Sequence, residues 1–295
     1  SAEPSTDPQE TSTALQDSDV DVLVIGAGGA GLSAAVSATE NGASVIVVEK
    51  MSMMGGNTLR SGGAFNSYDP EGQASTKMDD SLKATVEKLL AVEPVSDAHK
   101  QLIEDVQKQY DDYLASGSDS LFDSPEWHAL QTLDAGDYIG NIDLILTLTR
   151  NTLDTKKWLT ANGTTWDPTI RTVIGALWNR SAQTTNVSGA DFIAALSTQA
   201  EKNGAQIYLD TKAESLLQEN GKVVGATITN AEGKTVTVNA KSVVKATGGF
   251  AANVEMRVKY NTEWDDLGET IATNNHPGAT GDGIVMGEAV GAGFS

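Results

Sequence analysis

An α/β fold built around a parallel sheet follows from three features of the sequence. The stretch VLVIGAGGAGLSAA, Val22 to Ala35, joins an apolar run to a glycine-rich turn and then to an alanine-rich run. A second apolar run, Ser44 to Val48, ends at Glu49. From Gly189 onward a helical pattern gives way to segments that alternate apolar and polar residues between turn signals. Unbroken apolar runs are the mark of parallel strands covered on both faces, and their helical connection makes a βαβ unit.

Taken in order, Asp21 to Ile25 reads as the first strand and Ala30 to Glu40 as the helix that follows. Asn41-Gly42 closes that helix with residue types suited to a left-handed turn, and Ser44 to Val48 completes a unit of about 30 residues. A glycine-rich stretch runs from Gly55 to Gly63. Residues 77 to 115 predict two polar-faced helices, broken at Pro94, with Ser96 capping the second. Ser116 to Gly140 has turn composition, holding Gly117, Pro125, Trp127 and His128. Asn141 to Ala161 is helical, stopped by Asn162-Gly163, so the region forms a helical insert. A further helix, Ala190 to Lys202, leads into a strand at Gln206 to Leu209. The segments Glu214 to Gln218, Lys222 to Thr229 and Lys234 to Val238 turn at Asn220-Gly221 and Glu232-Gly233, which predicts a three-stranded antiparallel side sheet. Ser242 to Ala246 is a strand running into Thr247-Gly248-Gly249. A last helix, Ile284 to Val290, follows Gly281-Asp282-Gly283.

Composition excludes several functions. Forty acidic against 20 basic side chains give a net charge of −20, a field that repels nucleic acid and anionic lipid. No apolar run reaches the roughly 18 residues of a membrane helix. Cysteine is absent, which removes disulfides, thiolate metal ligands and cysteine nucleophiles. His99, His128 and His276 show no ligand spacing, so no metal site is expected. Residues 1–18, SAEPSTDPQETSTALQDS, hold no Lys or Arg and too little apolar surface to order themselves, so they read as a disordered tether. The chain opens on Ser1 rather than Met; with the tether, this predicts an exported, extracytoplasmic protein whose leader has been removed. Residues 19–295 then form one domain.

Gly26, Gly28 and Gly31 satisfy G-x-G-x-x-G between a strand and a helix, and Glu49 ends the next strand. That is the full context of a Rossmann-like dinucleotide fingerprint. Gly26 allows the tight turn, Gly28 admits the diphosphate to the backbone, and Gly31 lets helix and strand pack closely. The amides of Gly29 and Ala30 lie in the same turn, at a helix N-terminus that favours anions. A carboxylate at Glu49 suits ribose hydroxyls and repels a 2′-phosphate. The fingerprint alone leaves FAD and NAD open; the second glycine-rich turn in EKMSMMGGNTLRSGGAFN favours FAD, because it lays further amides along an extended dinucleotide.

Four segments, the fingerprint with Glu49, GGNTLRSGG at Gly55 to Gly63, KATGGF at Lys245 to Phe250 and ATNNHPGATGDGI at Ala272 to Ile284, resemble the flavoprotein subunits of fumarate reductase and succinate dehydrogenase. The likeness is nearest to the soluble, exported flavocytochrome-type fumarate and urocanate reductases, and it covers essentially residues 20 to 293. The resemblance implies that Asn57, Thr58, Gly62 and Gly63 line the ribityl and isoalloxazine region, with Lys50, Gly56 and Ser61 beside them. It places Thr247 and Gly248 near the diphosphate and adenosine half, Ala213 at the adenine and Asp282 at the flavin half. Membrane-bound relatives carry a histidine near Asn57 for covalent attachment; none stands here, so the FAD is expected to be non-covalent.

In the resembling reductases, hydride passes from the flavin to an unsaturated carboxylate while an arginine protonates it. The residues that do this lie beyond the GDG turn, in a capping domain and a C-terminal return segment. None of Arg60, Arg150, Arg171, Arg180 and Arg257 occupies the proton-donor motif. The resemblance therefore implies an incomplete FAD-binding domain with no catalytic residue of its own, inactive alone, acting on a small enoate and fed by a cytochrome or quinol-linked donor. Two departures stand out. Lys245 sits where the family is apolar and must snorkel or pair. In GALWNRSAQTTN, Ala182 and Gln183 replace an arginine/histidine pair near the substrate, while Trp178 and Arg180 are candidates to face a carboxylate. A dehydrogenase of the ketosteroid type and a non-catalytic electron-transfer module remain alternatives.

Overall fold

The computed structural model describes residues 14–293. Along the chain run β1 (Ser18–Ile25), α1 (Gly29–Glu40), β2 (Val45–Val48), α2 (Gly56–Leu59), β3 (Ala64–Asn66), α3 (Asp80–Leu90), α4 (Asp97–Ala115), α5 (Pro125–Ala135) and α6 (Ile142–Ala161). These are followed by β4 (Ser181–Gln183), α7 (Ala190–Lys202), β5 (Gln206–Tyr208), β6 (Lys212–Glu219), β7 (Lys222–Thr229), β8 (Thr235–Lys245), α8 (Val254–Lys259) and α9 (Asp282–Ala289). Two compact units divide the chain: residues up to Ser61 with those from Phe192 onward, and Gly62–Asp191 between them.

The first unit holds a six-stranded mixed sheet in the order β5-β2-β1-β8-β7-β6. β1 runs parallel to β2 and β8, and β2 parallel to β5. β6, β7 and β8 are antiparallel. The expected side sheet is thus part of the main sheet. Lys234 to Val238 and Ser242 to Ala246, read as separate strands, are the two ends of β8. Its first half pairs with β7 as far as Asn239, and its second half pairs with β1 from Val238 to Lys245. The alternation set by buried Val236, Val238 and Ala240 breaks at Ser242, which is exposed beside exposed Lys241, whose ammonium pairs with Asp21 at 2.6 Å.

Leu23, Ile25, Ile46 and Val48 of the parallel strands share one core with Ala226, Ile228, Val236 and Val238 of the antiparallel ones. Leu15 is buried in the same core, and its carbonyl accepts from Asn230 Nδ2 at 2.8 Å. The tether expected over residues 1–18 therefore does not reach Ser18: residues 14–18 are anchored and Ser18 already belongs to β1. Its first 13 residues lie outside the described residues.

The second unit pairs β3 with β4 and gathers α3 to α6 around Trp127, Phe122, Tyr110 and Trp178. The rings of Trp127 and Trp178 meet edge to face at 5.2 Å between centroids. Ser96 caps α4 as expected, accepting from the His99 amide at 3.1 Å. Ser116 to Gly140, read as turns, instead contains α5. Ser124 accepts from the Trp127 amide at 2.9 Å, Pro125 occupies the first turn where it lacks no needed N–H, and Trp127 supplies the burial that fixes the helix.

Candidate functional site

The first unit's site begins at the turn between β1 and α1. Gly26 sits at φ +105°, and a Cβ there would lie 2.4 Å from the Ala246 carbonyl oxygen. A Cβ on Gly31 would lie 1.8 Å from the Gly26 oxygen. The protein itself demands both glycines. Gly28 is different: its φ is −81°, and the nearest atom to an added Cβ is Gly55 O at 3.8 Å. The fold itself has room for a side chain there. Gly28 is also the N-cap of α1 and offers no side-chain cap. Helix geometry leaves the first amides of α1 without intrahelical acceptors. Thr58 Oγ1 takes that of Gly29 at 3.2 Å, and Ala30 opens on a cavity of about 390 Å³.

That cavity brings together most of the positions read from the sequence. Gly26, Gly28, Gly29 and Ala30 line it from the first turn, and Glu49 and Lys50 from the end of β2. Gly56, Asn57 and Thr58 come from α2, Ala213 from β6, Thr247 and Gly248 from beyond β8, and Asp282 from α9. Gly31 packs behind the turn, in keeping with its expected role.

Backbone donors hold Glu49 in place. Its Oε2 accepts from the Ala27 amide at 3.0 Å and its Oε1 from the Met51 amide at 2.9 Å. Each carboxylate oxygen keeps a second lone pair for a ribose hydroxyl. Lys50 Nζ donates to Thr280 Oγ1 at 2.5 Å and pairs with Asp282 Oδ2 at 2.9 Å, while Thr280 Oγ1 donates to Asp282 Oδ1 at 2.7 Å. Burial works against ionised Asp282, but the bonds from Thr280 and Lys50 outweigh it and hold the carboxyl below its ordinary value.

Asn57 uses both ends of its amide on the loop before α9. Its Oδ1 accepts from the His276 amide at 2.6 Å, and its Nδ2 donates to Asn275 Oδ1 at 2.9 Å. His276 lines the cavity, and its Nδ1 accepts from the Gly278 amide at 3.0 Å, so its ring proton belongs on Nε2. Asn275, Thr280 and Met51 were not singled out from the sequence; the first two lie within ATNNHPGATGDGI, which was read as a whole.

The arrangement can take an extended anionic molecule with hydroxyls near Glu49 and phosphates at the head of α1. The profile of one family, described as FAD dependent oxidoreductase, matches residues 21–268. The chain belongs to that family. It is similar to an NADH:acrylate oxidoreductase of Vibrio harveyi, at 37% identity over 92% of this chain and 29% of the relative. A urocanate reductase of Eggerthella lenta is 34% identical over 93% of this chain and 38% of the relative. Among solved structures, the open conformation of a flavocytochrome c3 fumarate reductase superposes with a TM-score of 0.73 at 26% identity, covering 94% of this chain and 41% of that one. The chain is thus an FAD-binding domain of the fumarate reductase and succinate dehydrogenase flavoprotein family, homologous to part of flavin-dependent enoate and fumarate-type reductases that act on CH–CH bonds. It spans well under half the length of these relatives, which include cytochrome-linked fumarate reductases. Among the described residues, no helix is long and apolar enough to cross a membrane.

The remaining candidates of this flavoprotein domain lie outside the cavity lining. Ser61 Oγ donates to the Thr58 carbonyl at 2.8 Å. Gly62 and Gly63 belong to the second unit, where a Cβ on Gly63, at φ +67°, would lie 2.4 Å from Thr184 Oγ1. Arg180, a candidate to meet a substrate carboxylate, is engaged by a carboxylate of the chain itself. It is buried and clasps Asp123 with two bonds, Nη2 to Oδ1 at 2.6 Å and Nε to Oδ2 at 3.1 Å. Trp178 is buried too and donates from Nε1 to the Phe122 carbonyl at 2.9 Å. In β4, Ala182 is buried and Gln183 Oε1 accepts from Arg171 at 3.0 Å.

Proposed function

We propose that the first unit's cavity holds FAD non-covalently and that the chain is the FAD-binding part of a flavin-dependent reductase of α,β-unsaturated carboxylates. One observation carries the cofactor reading: a glycine that the fold does not need, Gly28, bares the uncapped head of α1 to the cavity that Glu49 and Asp282 also line. The amides there would meet the diphosphate, Glu49 the adenosine ribose, and Ala213 the adenine edge. Asp282, kept ionised by Lys50 and Thr280, would accept from hydroxyls of the flavin half. Residues 51–63 contain no histidine to form a covalent link.

The substrate class rests on the relatives. Acrylate, urocanate and fumarate each join a carbon–carbon double bond to a carboxylate, and bound FAD supplies hydride for that bond. On the same reading, the protein works outside the cytoplasm and draws electrons from a cytochrome or quinol-linked donor. This chain's arginines are already engaged: Arg150 with Glu126, Arg171 with Asp167, Arg180 with Asp123, and Arg60 and Arg257 with backbone carbonyls. The groups that clamp and protonate the substrate are therefore assigned to other segments of the complete reductase. The test is uptake of FAD by the apo chain after gel filtration, followed by enoate-dependent oxidation of a reduced dye. The expected result is a yellow chain that releases intact FAD on acid denaturation and turns over little or no acrylate, urocanate or fumarate. A colourless chain with no thermal shift in excess FAD would overturn the cofactor reading, and vigorous turnover by this chain alone would overturn the assignment of the clamp.

A further inference from the structure

Three lysines line the cavity: Lys50, Lys212 and Lys245. Two of them are neutralised locally, Lys50 by Asp282 at 2.9 Å and Lys212 by Glu214 at 2.7 Å. Lys245 is exposed and has no carboxylate within ion-pairing distance among the described residues. Its place in the sheet is fixed by register. Lys245 stands opposite Ile25, one residue before the turn that Gly26 opens, and the next amide, that of Ala246, donates to the Ile25 carbonyl at 2.8 Å.

The side chain is also seated. A Cβ on Gly283 would lie 3.0 Å from Lys245 Cγ, and one on Gly287 would lie 3.6 Å from its Nζ. The two glycines are one helical turn apart on α9, so together they leave a bare strip along which the lysine stem lies. This answers the question raised by a lysine in an apolar strand: its stem and ammonium lie along the helix while the residue as a whole stays exposed.

We propose that Lys245 is the cationic positioning residue for the phosphate-bearing half of the ligand, the unpaired charge that draws an anionic dinucleotide into this cavity. The inference rests on the FAD reading above. The whole chain carries a net charge of −20, and the cavity adds the carboxylates of Glu49 and Asp282. A diphosphate approaching such a surface is repelled unless a nearby charge of opposite sign offsets the field. Lys50 and Lys212 are already engaged by carboxylates. Lys245 has no such carboxylate partner among the described residues, and its stem is long enough to follow the ligand.

The experiment compares wild type, Lys245→Met, Lys245→Arg and a remote charge control, Lys222→Met at the β6–β7 turn. FAD, ADP and uncharged adenosine are titrated at about 0.02 M and about 0.5 M salt, where the screening length differs several-fold. Lys245→Met keeps the stem and removes the charge; it is expected to weaken FAD and ADP about tenfold at low salt, with the loss shrinking at high salt. Lys245→Arg should bind like wild type, and adenosine should not distinguish the variants. The proposal is overturned if Lys245→Met binds FAD and ADP like wild type at low salt, if Lys222→Met loses as much, or if adenosine weakens equally. If wild type takes up no FAD, the flavin reading falls, and ADP against adenosine still decides the role of the lysine by the same outcomes.

Discussion

The carbonyl oxygen of Gly26 occupies the space that any side chain on Gly31 would need, with an added Cβ only 1.8 Å away. Gly31→Ala must therefore push α1 off β1, and a loss of about 3 kcal/mol or more is expected. Gly28→Ala meets nothing closer than 3.8 Å and should cost only about 1 kcal/mol, the ordinary penalty of alanine in place of glycine at a helix N-cap, yet abolish FAD uptake. Thermal melts and FAD titration of the two variants check the contrast. A Gly28→Ala chain that binds FAD normally would show that the bare backbone faces nothing.

The Lys50–Asp282 pair predicts a mild acid sensitivity. Burial opposes the charge on Asp282, but Thr280 and Lys50 more than offset it, so its folded-state pKa lies below 3.8. The contribution is present above that value and is lost as pH falls through the folded-state pKa. The two side chains are 24% and 27% exposed, so solvent screening limits the effect to about 1 kcal/mol. Asp282→Asn should flatten this part of the stability profile in acid and weaken FAD binding, both read by melts across the acid range.

His128 predicts a larger effect in the second unit. Burial first, and then the nearby Arg180 charge, push its pKa down to about 3. The unfolded chain takes up a proton near the ordinary value of 6.5 while the folded one does not. Stability is therefore full above 6.5 and declines as pH falls toward about 3, by a few kcal/mol in total. His128→Phe should remove this decline. Denaturant titrations at neutral and acid pH check it, and a wild-type chain equally stable at both would contradict it.

Arg180 predicts a stability defect rather than a substrate defect. With both side chains of the Asp123–Arg180 pair 2% exposed or less, Arg180→Ala leaves a buried carboxylate without its countercharge, held only by the Gln73 side chain and the Ser124 amide, and should cost about 3 kcal/mol. The double variant Asp123→Leu with Arg180→Met should recover most of that loss. FAD uptake by the folded fraction is expected to be unchanged.

Where structure was local, the sequence disclosed it well. The turn from Gly26 to Gly31, Glu49, the Ser96 cap and the helix stops at Asn41-Gly42 and Asn162-Gly163 each declare themselves within a few residues. Long-range features did not. β3 and β4 are three residues each, and their pairing joins Ala64 to Gln183 across a helical insert. The continuity of β8 is hidden by two exposed polar residues in succession, Lys241 and Ser242, in mid-strand. α5 left a readable sign in Ser124-Pro125, a cap followed by a first-turn proline, but the glycines and polar residues around it outweighed that signal. Arg180 reads in the sequence as a candidate to face a substrate carboxylate, because its actual partner, Asp123, lies far away along the chain.

β8 carries two kinds of neighbour on one continuous pleat, and this sets where the chain tolerates insertions and deletions. Side chains on a strand alternate sides, so losing one residue between Ala240 and Ser242 would flip every later position. Lys245 would leave the strip formed by Gly283 and Gly287, and Ala246 would no longer fit above Gly26. One residue gained at Glu232-Gly233 would be absorbed at the hairpin tip. Natural length variation in this domain should therefore collect at its hairpin tips and spare the strand between them.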